Sequence, residues 1–224
     1  MAEARAQDAP AWELRQSEQG LALVSGGMEL RGDFARLLPR IRPDRLSREL
    51  LVRAAHLRGV SQPRVVDATA GLGEDSFLLA AAGAQVLLFE RDPQIAALLA
   101  DALERAAADE RLAAIVARMT LRHEDSIAAL DSGALQADVV LLDPMFPGRS
   151  KSASVKKKLQ LIQLLERPCD DEQALVQAAL AARPRKIVVK RPAKGPQLAG
   201  VKPSHSLAGK AIRYDVIVPV QTQR

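Results

Sequence analysis

An acid, two prolines and an aromatic at the end of an apolar run form the most chemically specific feature of this sequence: Leu141-Leu142-Asp143-Pro144-Met145-Phe146-Pro147. Proline fixes its own φ and restricts the residue before it, so the segment reads as a rigid, irregular turn at a strand end. Asp143 and the Pro144 carbonyl present hydrogen-bond acceptors at this corner, with the Phe146 ring beside them in sequence. A structural turn that buries Phe146 explains the same letters.

A second cluster begins at Val65-Val66-Asp67-Ala68-Thr69-Ala70-Gly71-Leu72-Gly73-Glu74-Asp75, a strand running through a glycine turn into a helix. Glycines such as Gly71 let backbone approach a ligand at the carboxyl edge of an open α/β sheet. A dinucleotide fingerprint needs glycine where Ser76 stands, and it sets helix amides against a pyrophosphate that Glu74 and Asp75 would repel. Acids at this turn suit a ligand carrying positive charge and hydroxyls, and S-adenosylmethionine, with its ammonium and sulfonium, is one. Glu90, in Leu88-Phe89-Glu90-Arg91-Asp92, is placed to accept both ribose hydroxyls at the tip of the next strand. In His123-Glu124-Asp125-Ser126, a carboxylate and a hydroxyl can read an adenine amine; a helix N-cap by Asp125 or Ser126 accounts for them equally. Neither the histidines nor Cys169 is given a catalytic role.

Charge is unevenly distributed. The net charge of +5 conceals 14 acids against 5 bases at positions 65–147, nine arginines against three acids at 31–64, and ten bases against Asp215 alone at 173–224. Directly after the proline corner, Arg149, Lys151, Lys156, Lys157 and Lys158 occur with no intervening acid. Basic segments around an acidic module suit a polyanion that needs a distributed cationic footprint, so nucleic acid is the leading partner class. Arg149, Lys151, Lys156–Lys158 and Lys190 are the candidate phosphate contacts.

These residues need a frame. With 224 residues, 48% of them apolar and only 3% aromatic, the chain can bury a core of helices on Val/Ile-rich strands. One cysteine excludes an intramolecular disulfide and suits a reducing cytosol; no membrane span, export signal or metal centre is expected. Short runs from Trp12 to Leu30, broken by glycines, read as small strands, and Pro43 opens a helix that extends through Leu46, Leu50, Ala54 and Leu57 to Gly59. Strands then alternate with helices: Arg64–Ala68, Gln85–Glu90, Met119–His123, Ala137–Asp143 and Arg185–Lys190, with helices over Glu74–Ala82, Pro93–Ala108, Ser126–Leu130 and, in two pieces, Val155–Ala182. That order predicts a doubly wound, mostly parallel sheet. Segments Ser204–Ala208 and Ala211–Val220 predict a closing antiparallel hairpin. The domain expectation is an N-terminal extension at 1–62 and the main α/β domain at 63–224.

Taken together, Asp-Ala-Thr-Ala-Gly-Leu-Gly at 67–73, Glu90-Arg91, Leu-Asp-Pro-Met-Phe-Pro at 142–147, Lys-Ser-Ala-Ser-Val-Lys-Lys at 151–157 and Val-Val-Lys-Arg-Pro at 188–192 resemble the RsmJ family. The proline corner itself is similar to the Asp/Asn-Pro-Pro-Tyr/Phe element of amino-directed methyltransferases, with Met145 replacing the middle proline; that likeness implies that Asp143 and the Pro144 carbonyl hold the N–H groups of an exocyclic base amine, whose lone pair is otherwise delocalised into the ring, and that Phe146 stacks on the extruded base. The resemblance implies a class I (Rossmann-like) methyltransferase fold and a cytoplasmic enzyme. It implies transfer of a methyl group from S-adenosylmethionine to guanine N2 in small-subunit ribosomal RNA, leaving S-adenosylhomocysteine. Cofactor contacts carried over by position fall on Glu74, Asp75, Glu90, Arg91, Asp125, Ser126 and Asp143, and Asp67 and Gly71 of the glycine turn are cofactor-binding candidates with them. Glu74 stands where the family often has Arg, Asp125 where it often has Ser, and Pro39–Arg45 replaces a Gly-Gly-Gly-Arg-Gly segment.

Overall fold

Hydrophobic runs of alternating facing explain the central sheet of the computed structural model, which describes residues 12–144 and 171–219. Seven strands, β4 (Arg64–Asp67), β5 (Gln85–Phe89), β6 (Met119–Arg122), β7 (Val139–Leu142), β8 (Lys186–Pro192), β9 (His205–Ala208) and β10 (Ile212–Ile217), lie in the order β6-β5-β4-β7-β8-β10-β9. The pairings from β6 to β8 are parallel, and β10 pairs antiparallel with both β8 and β9. This is the expected doubly wound sheet with a terminal hairpin. Strand order reverses between β4 and β7, and the crevice beyond their carboxyl ends is where open α/β sheets bind ligands.

Successive residues feed opposite faces. Val65, Val139, Leu141 and Val188 join one core with Phe77, Leu79 and Leu99, whereas Val66, Val140, Leu142 and Val189 join another with Leu130, Leu175 and Val176. The covering helices are α3 (Glu74–Ala81), α4 (Pro93–Ala107), α5 (Ala113–Val116), α6 (Ser126–Asp131) and α7 (Glu172–Ala181). Helix α4 starts where Pro93 occupies the first turn and Asp92 accepts hydrogen bonds from the Gln94 and Ile95 amides. The short α5 is an element the sequence pattern did not indicate. Of the helical segment expected over Val155–Ala182, only the α7 part lies within the described residues.

Residues 12–30 form the antiparallel meander β1 (Glu13–Ser17), β2 (Gly20–Ser25) and β3 (Met28–Leu30), whose Leu23 and Leu30 pack with Ile95 and Leu98 of α4. Phe34 then stacks on Phe77, with ring centroids 5.0 Å apart. The single helix expected from Pro43 to Gly59 is instead two, α1 (Pro43–Leu46) and α2 (Leu50–Ala55). Between them Glu49 is extended (φ −60°, ψ 126°), held there by a bidentate pair with Arg40 in which both N···O distances are 2.8 Å. Leu51 and Ala54 of α2 share the Phe77 core, so this N-terminal segment is packed onto the sheet.

Candidate functional site

Asp67 ends β4 with only 2% of its surface exposed. Its carboxylate accepts from the Ser76 hydroxyl (2.6 Å) and the Thr69 amide (3.1 Å), tying the strand end to α3. Burial pushes its carboxyl up to about 7, against the hydrogen bonds from Ser76 and Thr69. Asp67 thus braces the turn from below, with its oxygens facing protein.

The turn itself is held by neighbouring strand ends. The Ala70 amide donates to the Phe89 carbonyl (3.0 Å), and the Gly71 amide donates to Glu90 Oε2 (2.9 Å). Glu90 Oε1 accepts from the Asp92 amide (2.8 Å), and burial raises the carboxyl's pKa despite these bonds. Gly71 and Gly73 both have positive φ, +53° and +74°, but they face different surroundings. A Cβ on Gly73 would lie 2.7 Å from Leu99 Cδ1, while a Cβ on Gly71 would meet nothing within 4 Å. Gly71 therefore borders open space beside the Glu90 carboxylate, the cradle expected for a ligand.

On the other side of the reversal point, strand register assembles a row of polar groups. Leu142 pairs with Val189 and Tyr214 pairs with Lys190, so Asp143, Lys190 and Tyr214 succeed one another across β7, β8 and β10. The Asp143 amide donates to Thr69 Oγ1 (2.6 Å). The Lys190 ammonium donates to Asp143 Oδ2 (2.8 Å) and to Asp75 Oδ2 (2.7 Å) in the first turn of α3. Burial raises the Asp143 carboxyl's pKa, with Lys190 opposing the shift. Burial works against the Lys190 ammonium, but the two carboxylates hold its pKa well above the ordinary lysine value. Tyr214 is buried, and both burial and Asp75 keep its hydroxyl neutral.

The structure thus gathers Gly71, Asp75, Glu90, Asp143 and Lys190 around one crevice, with Pro144 buried next to it, while Asp67, a candidate cofactor residue from the sequence, lies beneath the turn with its oxygens on Ser76 and Thr69. Glu74 is half-buried in the first turn of α3, and Arg91 is exposed beside Glu90. Asp125 caps α6 through the Ile127 amide (2.8 Å), and Ser126 is buried at the start of that helix. Phe146, Arg149, Lys151, Lys156, Lys157 and Lys158 lie outside the described residues. Lys190, expected on phosphates from its charge, is committed to two carboxylates. Thr69 and Tyr214 were given no role from sequence, and Ser76 only that of breaking a dinucleotide fingerprint; for Tyr214 strand parity was the available signal, since Tyr214 and Lys190 both belong to the face of Val188 and Leu141.

Among the described residues no three His, Cys, Asp or Glu side chains form a metal-holding group, and no helix is long and apolar enough to cross a membrane. Residues 6–219 match the family model of SAM-dependent methyltransferases. The ribosomal RNA small subunit methyltransferase J of Thioalkalivibrio sulfidiphilus is 50% identical over 176 residues, covering 77% of this chain and 69% of the relative. Its counterpart in Rhodopseudomonas palustris is 53% identical over 165 residues, covering 71% and 74%. A crystal structure of a SAM-dependent methyltransferase from Neisseria gonorrhoeae superposes with a TM-score of 0.76 at 30% identity, over 96% of this chain and 85% of that one. The crevice fits the ligand such enzymes use: carboxylates favour a sulfonium and an ammonium, the Gly71 cradle is open, and the acidic first turn of α3 disfavours a pyrophosphate.

Proposed function

The chain belongs to the ribosomal RNA small subunit methyltransferase J family, and from that premise we propose that it methylates the exocyclic N2 of a guanine in small-subunit ribosomal RNA, with Asp143 and the Pro144 carbonyl orienting the amine. S-adenosylmethionine would supply an electrophilic methyl group on a positively charged sulfur. Glu90, Asp75 and the Gly71 turn would hold that ligand, with Asp125 and Ser126 assigned to its adenine amine. Asp143 would accept an amine N–H and so orient the nitrogen lone pair. Orientation of this kind contributes several orders of magnitude in rate without a covalent intermediate.

The single observation that supports this reading best is the adjacency of the open Gly71–Glu90 cradle to Asp143, bridged by the Asp143–Thr69 hydrogen bond. We assign the bases at 149–158 to backbone phosphates on charge alone. A ribosomal RNA target implies a cytoplasmic setting. The test is incubation of the protein with labelled S-adenosylmethionine and either free ribosomal RNA or small subunits, followed by nucleoside and peptide mass analysis. Label in N2-methylguanosine is expected. Label in N6-methyladenosine or in a glutamine side chain overturns the substrate reading, as does absence of calorimetric heat on titration with S-adenosylhomocysteine.

A further inference from the structure

We propose that Lys190 is the positioning residue of the amine-orienting carboxylate: its ammonium, fixed between Asp75 and Asp143, occupies one Asp143 oxygen and keeps the other available as a charged acceptor. This rests on the methyltransferase reading and assigns Lys190 a task other than gripping RNA.

Geometry separates the two tasks. The Lys190 side chain is 25% exposed and already donates to two carboxylates at 2.7 and 2.8 Å. The three side chains together carry one net negative charge, so a phosphate would have to displace a carboxylate from a group that repels it. Asp143, in contrast, is the most open member of the three, with 35% of its side chain exposed against 17% for Asp75. Its Oδ2 is taken by Lys190, and Oδ1 has no donor among the described residues. Among the described residues one carboxylate oxygen is thus anchored, and the exposure of the side chain gives an outside N–H access to the other.

Charge balance explains why an anchor is needed. Asp75 and Asp143 reach the same nitrogen from α3 and β7, and carboxylates this close resist being ionised together. Other groups around the pair cannot replace the ammonium. Asp67 below the turn brings no positive charge, and Tyr214 on β10 is neutral. The Arg40 guanidinium is held bidentately by Glu49. Arg191 follows Lys190 on β8 but donates to the Pro196 carbonyl, pairs with Glu172, and belongs to the other face of the sheet. Lacking Lys190, Asp143 would lose the cation that opposes the burial-driven rise of its pKa, and in its protonated form it is a poorer acceptor for the amine.

The test compares Lys190→Met, Lys190→Arg and the Asp75→Asn/Lys190→Met double variant by the pH profile of kcat at saturating S-adenosylmethionine, with total labelled nucleoside as the product. Far-UV circular dichroism and urea denaturation report folding. Lys190→Met is expected to fold, to lose about tenfold or more in kcat at pH 7, and to move the acid limb up by about one pH unit or more, recovering activity as the pH rises. Lys190→Arg should restore the limb, and removing the like charge in the double variant should bring it part of the way back. A uniform loss at all pH values, or unchanged kcat, overturns the proposal. So does weakened RNA binding with the slope of log affinity against log salt reduced by about one, the mark of a lost phosphate contact. If Lys190→Met does not fold, Lys190→Gln carries the same measurement. Because total label is read, a wild-type product other than N2-methylguanosine would defeat the substrate reading while leaving the Lys190 result interpretable.

Discussion

Two carboxylates flank β8, Asp143 from the β7 side and Asp215 from the β10 side, and they differ in how fully their oxygens are supplied. Asp215 Oδ1 accepts from the Ser206 hydroxyl (2.5 Å) and Arg213 Nε (2.9 Å), and its Oδ2 accepts from the second arm of the same guanidinium (3.0 Å). Burial alone would raise its pKa, but Arg213 and Ser206 together hold it below the usual carboxylate range. Asp143 has a single cation, a second carboxylate competing for it, and one oxygen with no donor among the described residues. Arg213 also gathers the carbonyls of Pro192, Ala193 and Gly195, so the pair at β10 locks the chain after β8. A carboxylate with every oxygen supplied holds a fold together; one with an oxygen left over can act on something else.

The largest expected effect breaks the comparison on its open side. Asp143→Ala removes the amine acceptor, and kcat on ribosomal substrate should fall by about 10³-fold while S-adenosylhomocysteine still binds. Single-turnover kinetics with calorimetry checks both halves; a loss of cofactor binding as large as the loss of rate would make Asp143 a cofactor ligand first. Asp67 provides an intermediate case, supplied by Ser76 and Thr69 yet buried with no cation against it among the described residues. Its folded-state pKa of about 7 lies above the unfolded value of 3.8, so its contribution to stability is complete below about pH 4 and is lost as the pH rises to 7. Across that window the loss is on the order of 4 kcal/mol relative to Asp67→Asn, and it is flat above pH 7. Urea denaturation of the two proteins from pH 4 to 8 reads it; parallel curves would show that Asp67 is ionised throughout. On the saturated side, Asp215→Ala strands the Arg213 guanidinium, whose side chain is 13% exposed, and should cost about 3 kcal/mol. Turnover per folded molecule should be unchanged, and a kcat loss at full folding would move this pair from scaffold to site.

The contrast between these carboxylates was only half legible in the sequence. Alternating apolar runs and helical segments predicted the sheet, the hairpin and the crevice, because each rests on local periodicity and on chain order. Glu90 and Asp143 were found because strand ends mark where an open sheet binds ligands. The partners of Lys190 were not found, since they lie 115 and 47 residues away and are chosen by register across three strands. Charge counting alone made Lys190 one more base in a basic segment. The split of the Pro43 helix has the same origin: helical spacing of Leu46, Leu50 and Ala54 is real, but the Arg40–Glu49 pair, a tertiary contact, overrides it.

The smallest expected effect applies the same distinction to two glycines of one turn. Alanine at either Gly71 or Gly73 meets a left-handed backbone, at a cost of about 1 kcal/mol in stability. At Gly73 the new methyl also presses on Leu99 Cδ1 at 2.7 Å and Phe34 at 3.3 Å, adding about 1–2 kcal/mol of overpacking. At Gly71 the methyl points into open space, so stability should fall by the backbone term alone and the loss should appear in binding. Calorimetry is expected to show about tenfold weaker S-adenosylhomocysteine affinity for Gly71→Ala, from a methyl group filling space the ligand needs. Gly73→Ala should reverse the pattern, with the larger loss in urea denaturation and the smaller one in affinity. Equal affinity for Gly71→Ala and the wild type would mean that the ligand does not enter the cradle beside Glu90, leaving only the Asp143 side of the crevice to receive it.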